Sequence, residues 1–96
     1  MRTVLITGAN KGIGFATAQY FLEHGDKVVI TGRNEQKLRE AVVRLGGNVD
    51  YEVWDVSDIH AGAGVLRSVH ERVGAIDVIV NNAGIVTDED ISGSDF

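Results

Sequence analysis

The chain has 96 residues, enough for one small domain with a single core. Its 44% hydrophobic and 24% charged content is that of an ordinary globular protein, and a net charge of −5 argues against a general nucleic-acid binder. With no cysteine, a disulfide framework, a CxxC redox pair and a thiolate metal site are all excluded.

Met1-Arg2-Thr3 leads straight into a short β-rich run, Thr3 to Thr7, too short for a signal-peptide core or a membrane span. The expected setting is soluble and cytoplasmic, with no membrane partner. From Gly12 the period changes to that of a helix, with Gly14, Ala18, Phe21 and Leu22 on one face and Gly25 as its stop. Lys27 to Thr31 forms a second strand. Asn34 is a suitable N-cap for a second helix, with Glu35 in its first turn and Leu38, Ala41, Val42 and Leu45 as its apolar stripe. Gly46-Gly47 ends it.

Val49 to Val53 reads as a third strand. Ser57 can cap a third helix, whose stripe of Ile59, Leu66, Val69 and Val73 is weakened by Gly62 and Gly64. Gly74 closes that helix, and Ile76 to Val80 supplies a fourth strand. Beyond Gly84 the pattern dissolves into acidic, Ser and Gly residues, with Asp88, Glu89, Asp90 and Asp95 best read as a solvated loop.

The order βαβαβαβ with short connections implies a doubly wound parallel sheet of order 3-2-1-4. Two helices cover one face and the third crosses to the other. A ligand crevice is then expected outside the strand C-termini, between strands 1 and 4. The stretch TGANKGIG, residues 7 to 14, and Asn81-Asn82-Ala83-Gly84 both fall at that edge.

Gly8, Gly12 and Gly14 sit where a strand hands over to a helix. Such a junction points unpaired N–H groups and the positive end of the helix dipole at the turn, and glycines let a diphosphate approach closely. The spacing G-x-x-x-x-G-K-[ST] of a phosphate-binding loop is absent, because Ile13 follows Gly12. What stands here is T-G-x-x-x-G-x-G. Together with the later Asn-Asn-Ala-Gly, it resembles the classical short-chain dehydrogenase/reductase family, and the likeness runs in order along all 96 residues.

An acidic residue about 20 positions beyond the loop would select NAD through the ribose 2′-OH. Thr31-Gly32-Arg33 stands there instead, with no carboxylate before Glu35. Arg33 and Lys11 both lie beside helix N-termini, the unfavourable end for a cation, which makes sense if a phosphate shared by both binds there. The expected cofactor is NADP(H) rather than NAD(H), and the family's basic residues at these places imply the same.

The resemblance further implies that Asp55 and the backbone of Val56 approach the adenine. Asp55 could instead simply start a helix. It also implies that Asn82, Ala83 and Gly84 pass near the cofactor ribose, and that Asn81 braces the central strands. Asn10, with Gly8, Lys11, Gly12, Ile13 and Gly14, would shape the glycine turn. Trp54 reads as packing or strand surface rather than a stacking platform. His24, His60 and His70 show no metal-ligand spacing, and no metal site is expected.

The family transfers hydride between nicotinamide and a small carbonyl or alcohol substrate, with a serine and a Tyr-x-x-x-Lys pair handling the proton. Those residues follow NNAG by tens of positions. Tyr20 and Tyr51 are the tyrosines of this chain, and neither makes Tyr-x-x-x-Lys. No catalytic residue is therefore assigned. Residues 1–96 are expected to be the N-terminal, cofactor-binding portion of an oligomeric oxidoreductase, inactive alone and marginally stable because strand 4 and one sheet face would lack cover. The alternatives are a stand-alone dinucleotide-binding or sensing module, and a remnant that associates with a full-length relative.

Overall fold

A computed structural model describes residues 1–8, 12–55 and 58–82, the Ile59 side chain excepted. The described elements are β1 (Thr3–Thr7), α1 (Gly12–Glu23), β2 (Lys27–Gly32), α2 (Glu35–Leu45), β3 (Val49–Val53), α3 (Ile59–Val73) and β4 (Val78–Val80). All strand pairs are parallel, in the order β3-β2-β1-β4, with Thr3 opposite Lys27, Val4 opposite Val78 and Val28 opposite Val49. This is a Rossmann-type doubly wound sheet.

Strand alternation divides the core in two. Val4, Ile6, Val28 and Ile30 face α1 and α2, where Ala18, Leu38 and Ala41 complete a buried cluster flanked by Phe15, Phe21, Leu22, Val42 and Leu45. Leu5 and Val29 face the opposite way and meet Val69, with Val65, Leu66, Val73 and Ile76 packed around them. Helix α3 thus crosses to the second face, as the element order predicts. The sequence stripe omits Val65, one position before Leu66, which widens the apolar face of α3 beyond a strict i, i+3, i+7 line.

Local chemistry sets the element ends. Asn34 Oδ1 accepts from the Lys37 amide at 3.1 Å and caps α2. Helix α3 is capped by Asp58, whose Oδ1 accepts from the Ala61 amide at 3.3 Å, rather than by Ser57, which lies outside the described residues. Strand β4 is shorter than the expected Ile76–Val80: the Asp77 carboxylate takes the Thr3 amide at 2.8 Å, in place of a backbone carbonyl.

The two sheet edges are treated differently. Arg72 of α3 reaches over β3, donating to Asp50 Oδ2 at 2.7 Å, Glu52 Oε1 at 2.5 Å and the Tyr51 carbonyl at 3.2 Å. A charged side chain on the edge in this way blocks further strand pairing. At the other edge, Ile79 of β4 is 56% exposed.

Candidate functional site

Parallel strands deliver their C-terminal ends to one edge, and the two sequence motifs meet there. Thr7 Oγ1 lies 3.4 Å from the Val80 carbonyl and 3.3 Å from Asn81 Oδ1, so its hydroxyl can donate to either and ties β1 to the end of β4. Asn81 thus braces the central strands, as expected. Asn82, itself buried, donates from Nδ2 to the Gly8 carbonyl at 3.4 Å. The Gly8 amide donates in turn to the Thr31 carbonyl at 2.9 Å. The glycine turn is therefore held from both sides, by the β4 end and by β2. Gly8 has φ 66°, a left-handed conformation that glycine adopts without strain.

The geometry suits a dinucleotide diphosphate. Gly12 opens α1 at φ 64°, and a Cβ built there would meet no described residue within 4 Å. No acidic residue occupies that turn. Gly14 is buried, which lets α1 pack closely, while Ile13 is 75% exposed at the mouth of the turn. Thr31 Oγ1 is buried at the strand ends without a hydrogen-bond partner among the described residues. The residues present fit the phosphate-bearing part of such a cofactor.

On the β2–β3 side, the Trp54 amide donates to the Gly32 carbonyl at 2.8 Å, which sets Asp55 just beyond the sheet. The Asp55 carbonyl accepts from the Asp58 amide at 2.8 Å at the start of α3. The Trp54 ring lies against Gly62, where a Cβ would stand 3.2 Å from Cζ2. Trp54 is thus packing, as expected, and Gly62 exists to receive it. Arg33 is exposed beside the N-terminus of α2, with no carboxylate paired to it among the described residues.

Glu35 is turned elsewhere. The Tyr51 hydroxyl donates to Glu35 Oε2 at 2.8 Å, Arg39 Nη2 donates to the same oxygen at 3.3 Å, and Arg39 Nε donates to Tyr51 Oη at 3.2 Å. The tyrosine hydrogen bond, then the arginine charge, hold the Glu35 carboxyl below the usual carboxylate range. A groove of about 440 Å³, lined by Glu35, Asp50, Tyr51, Glu52, Val53 and Arg72, runs along the β3 edge.

Of the residues singled out in the sequence, Gly8, Gly12, Ile13, Gly14, Arg33, Asp55 and Asn82 are placed around the strand ends. Asn10, Lys11, Val56, Ala83 and Gly84 lie outside the described residues. Among those described, no group of His, Asp and Glu side chains could hold a metal ion, and no helix is long and apolar enough to cross a membrane. Sequence reasoning missed the Thr7 hydroxyl, whose signal was a hydroxyl residue ending an otherwise apolar strand. It also missed the Glu35–Tyr51–Arg39 triangle, which joins residues up to 16 positions apart and has no local signature.

Comparison with known proteins agrees with this geometry. A family model described as short chain dehydrogenase matches residues 2–95. Serine 3-dehydrogenase of Rhizobium radiobacter is 40% identical over 83 residues, 86% of this chain and 33% of that protein. The 3-oxoacyl-(acyl-carrier-protein) reductase of Chlamydia muridarum is 37% identical, over 91% of this chain and 37% of that protein. The crystal structure of an actinorhodin polyketide ketoreductase variant with NADPH superposes with a TM-score of 0.80 at 33% identity, covering 84% of this chain and 32% of that one. The chain spans about a third of the length of these relatives. It belongs to the short-chain dehydrogenase family.

Proposed function

We propose that residues 1–96 are the cofactor-binding portion of an NADP(H)-dependent oxidoreductase that interconverts a small carbonyl compound and its alcohol. The observation that carries the reading is the strand-end junction. Asn82 and Thr31 hold the Gly8 turn from opposite sides, beside the N-terminus of α1, whose first turn carries no acidic residue. When bound, NADP(H) supplies the hydride. The chain's own residues bind and orient it: the turn and the α1 amides take the diphosphate, Asp55 and Val56 meet the adenine, and Asn82, Ala83 and Gly84 line the ribose side.

Arg33 supports NADP(H) over NAD(H). A cation at a helix N-terminus is disfavoured by the dipole, and no carboxylate among the described residues offsets it. A 2′-phosphate would, through bidentate contact with the guanidinium and the charge of Lys11. The ketoreductase structure with NADPH, at 33% identity, supports the same choice. Proton transfer belongs to residues beyond these 96, in a longer, oligomeric protein.

Titration of NADPH and NADH against the protein tests this. Arg33→Ala is expected to weaken NADPH about tenfold or more, in the range of a lost charge-assisted contact of ~1.5–3 kcal/mol, and to leave NADH nearly unchanged. An unaltered ratio would refute the assignment. A stand-alone binding module, the alternative reading, would bind NADPH equally well, but the protein bearing these residues would then lack Tyr-x-x-x-Lys.

A further inference from the structure

We infer that Tyr51, acting with Arg39, is a positioning residue for cofactor choice: it draws the Glu35 carboxylate away from the Arg33 end of α2, leaving that end positive for the 2′-phosphate of NADP(H). The inference rests on the NADP(H) reading above. Glu35 opens α2 two positions after Arg33, and it is the acidic residue nearest to Arg33 along the chain. A first-turn carboxylate is attracted to the helix N-terminus by the macrodipole. Settled there, Glu35 would neutralise Arg33, repel a phosphate and offer an acceptor to the ribose hydroxyls, as NAD-selecting carboxylates do.

The structure puts it elsewhere. Glu35 Oε2 receives the Tyr51 hydroxyl at 2.8 Å and Arg39 Nη2 at 3.3 Å, and Arg39 Nε steadies the phenol oxygen at 3.2 Å. Tyr51 stands opposite Ile30, two residues before Gly32 at the end of β2. At ~3.3 Å per residue that level is about 7 Å back from the strand ends. Glu35 itself lines the groove on the β3 edge, together with Asp50, Glu52 and Val53. An exposed i, i+4 ion pair alone holds a side chain weakly. The tyrosine adds a directional donor from β3, and this fixes where the charge sits. The result is a separation of roles along one helix turn, with Glu35 committed to β3 and Arg33 without a carboxylate among the described residues.

The test titrates NADPH and NADH against the wild-type protein, Tyr51→Phe, Tyr51→Phe/Arg39→Met, the double variant with Glu35→Gln added, and Arg33→Ala. Releasing the carboxylate to within ~8 Å of a phosphate dianion, at a water-like dielectric with and without salt screening, lowers the NADPH-over-NADH preference about two- to sixfold. The double variant is expected to show that loss, Tyr51→Phe a smaller one, and both losses shrink at high salt. Adding Glu35→Gln is expected to restore the preference. A merely structural role for Tyr51 would weaken both cofactors alike and give no rescue by Glu35→Gln, which overturns the inference. So does an unchanged ratio in both Tyr51 variants when Arg33→Ala shifts it. If Arg33→Ala itself leaves the ratio unchanged, the NADP(H) reading fails and takes this inference with it.

Discussion

Gly62 and Gly64 lie one turn into the same helix, and both weaken it on propensity alone, yet their surroundings differ sharply. A Cβ at Gly64 would meet nothing within 4 Å. Gly64→Ala therefore removes backbone freedom from the unfolded chain without a clash, and the expected gain is ~0.8–1.0 kcal/mol. For a domain of this size that raises Tm by roughly 4–8 °C. At Gly62 a Cβ would stand 3.2 Å from Trp54 Cζ2 and 3.9 Å from Cη2, so the indole must give by a few tenths of an ångström. The indole is not free to swing, because its Nε1 donates to the Asp58 carbonyl at 3.4 Å and its backbone amide is held by Gly32 at 2.8 Å.

Moving a held ring off its rotamer costs about 0.5–1.5 kcal/mol, which cancels the propensity gain of Gly62→Ala. Gly62→Val, with two further carbons against the ring, is expected to lose ~1–3 kcal/mol. Urea unfolding followed by fluorescence reads this well, since Trp54 is the chain's single tryptophan and reports its own contact. Equal gains from Gly62→Ala and Gly64→Ala would refute the reasoning, because the indole would then place no demand on position 62. A drop in stability for Gly64→Ala would refute it from the other side.

Further predictions concern the turn and the lower end of the sheet. Gly12→Ala puts a Cβ at φ 64°, an expected loss of ~1–2 kcal/mol in stability, and it distorts the turn that presents the α1 amides, so NADPH and NADH should weaken together. Unchanged affinity for both in equilibrium titrations would contradict the role given to the turn. At the N-terminal ends of β1 and β2, Arg2 Nη2 meets the buried Asp26 carboxylate at 3.0 Å, and its hydrogen bond holds that carboxyl below the usual range. A depressed folded-state value means a contribution fully present above about pH 4, the unfolded carboxylate value, and lost as pH falls through the lower folded one. Asp26→Asn should flatten stability against pH in that acid window; an unchanged acid slope in denaturant melts would exclude the pair as its source.

The sheet was readable from the chain because its signals are local. Short apolar runs, Asn34 as a cap and glycines after each helix lie within a few residues of the structures they set, and the observed order 3-2-1-4 follows from short connections and crossover handedness. Boundaries slipped where a side chain replaced a backbone partner, as at Asp77, or where two adjacent residues could both cap, as at Ser57 and Asp58. The glycine turn and Asn82 were visible as a pair of motifs, but their joining through the Gly8 carbonyl was not. The role of Gly62 was hidden for a different reason: its partner Trp54 precedes the helix, and no periodicity connects the two.

The distribution of partners among the arginines adds one more step. Arg2, Arg39 and Arg72 each find a carboxylate within 3.3 Å, and Arg44 stacks 4.6 Å over the Phe15 ring. Arg67 pairs with no carboxylate among the described residues, but it lies inside α3 rather than at a helix N-terminus. A chain with 14 acidic and 9 basic residues has ample carboxylates to pair another cation. Arg33 nonetheless stands without one among the described residues, at a helix end that disfavours it by ~0.3–1 kcal/mol, while Glu35, two positions on, is engaged by Tyr51 of β3. A local rule broken without compensation inside the fold is expected where a ligand supplies the compensation. The charge pattern around α2 therefore supports a phosphate at Arg33 more strongly than the bare presence of a basic residue could.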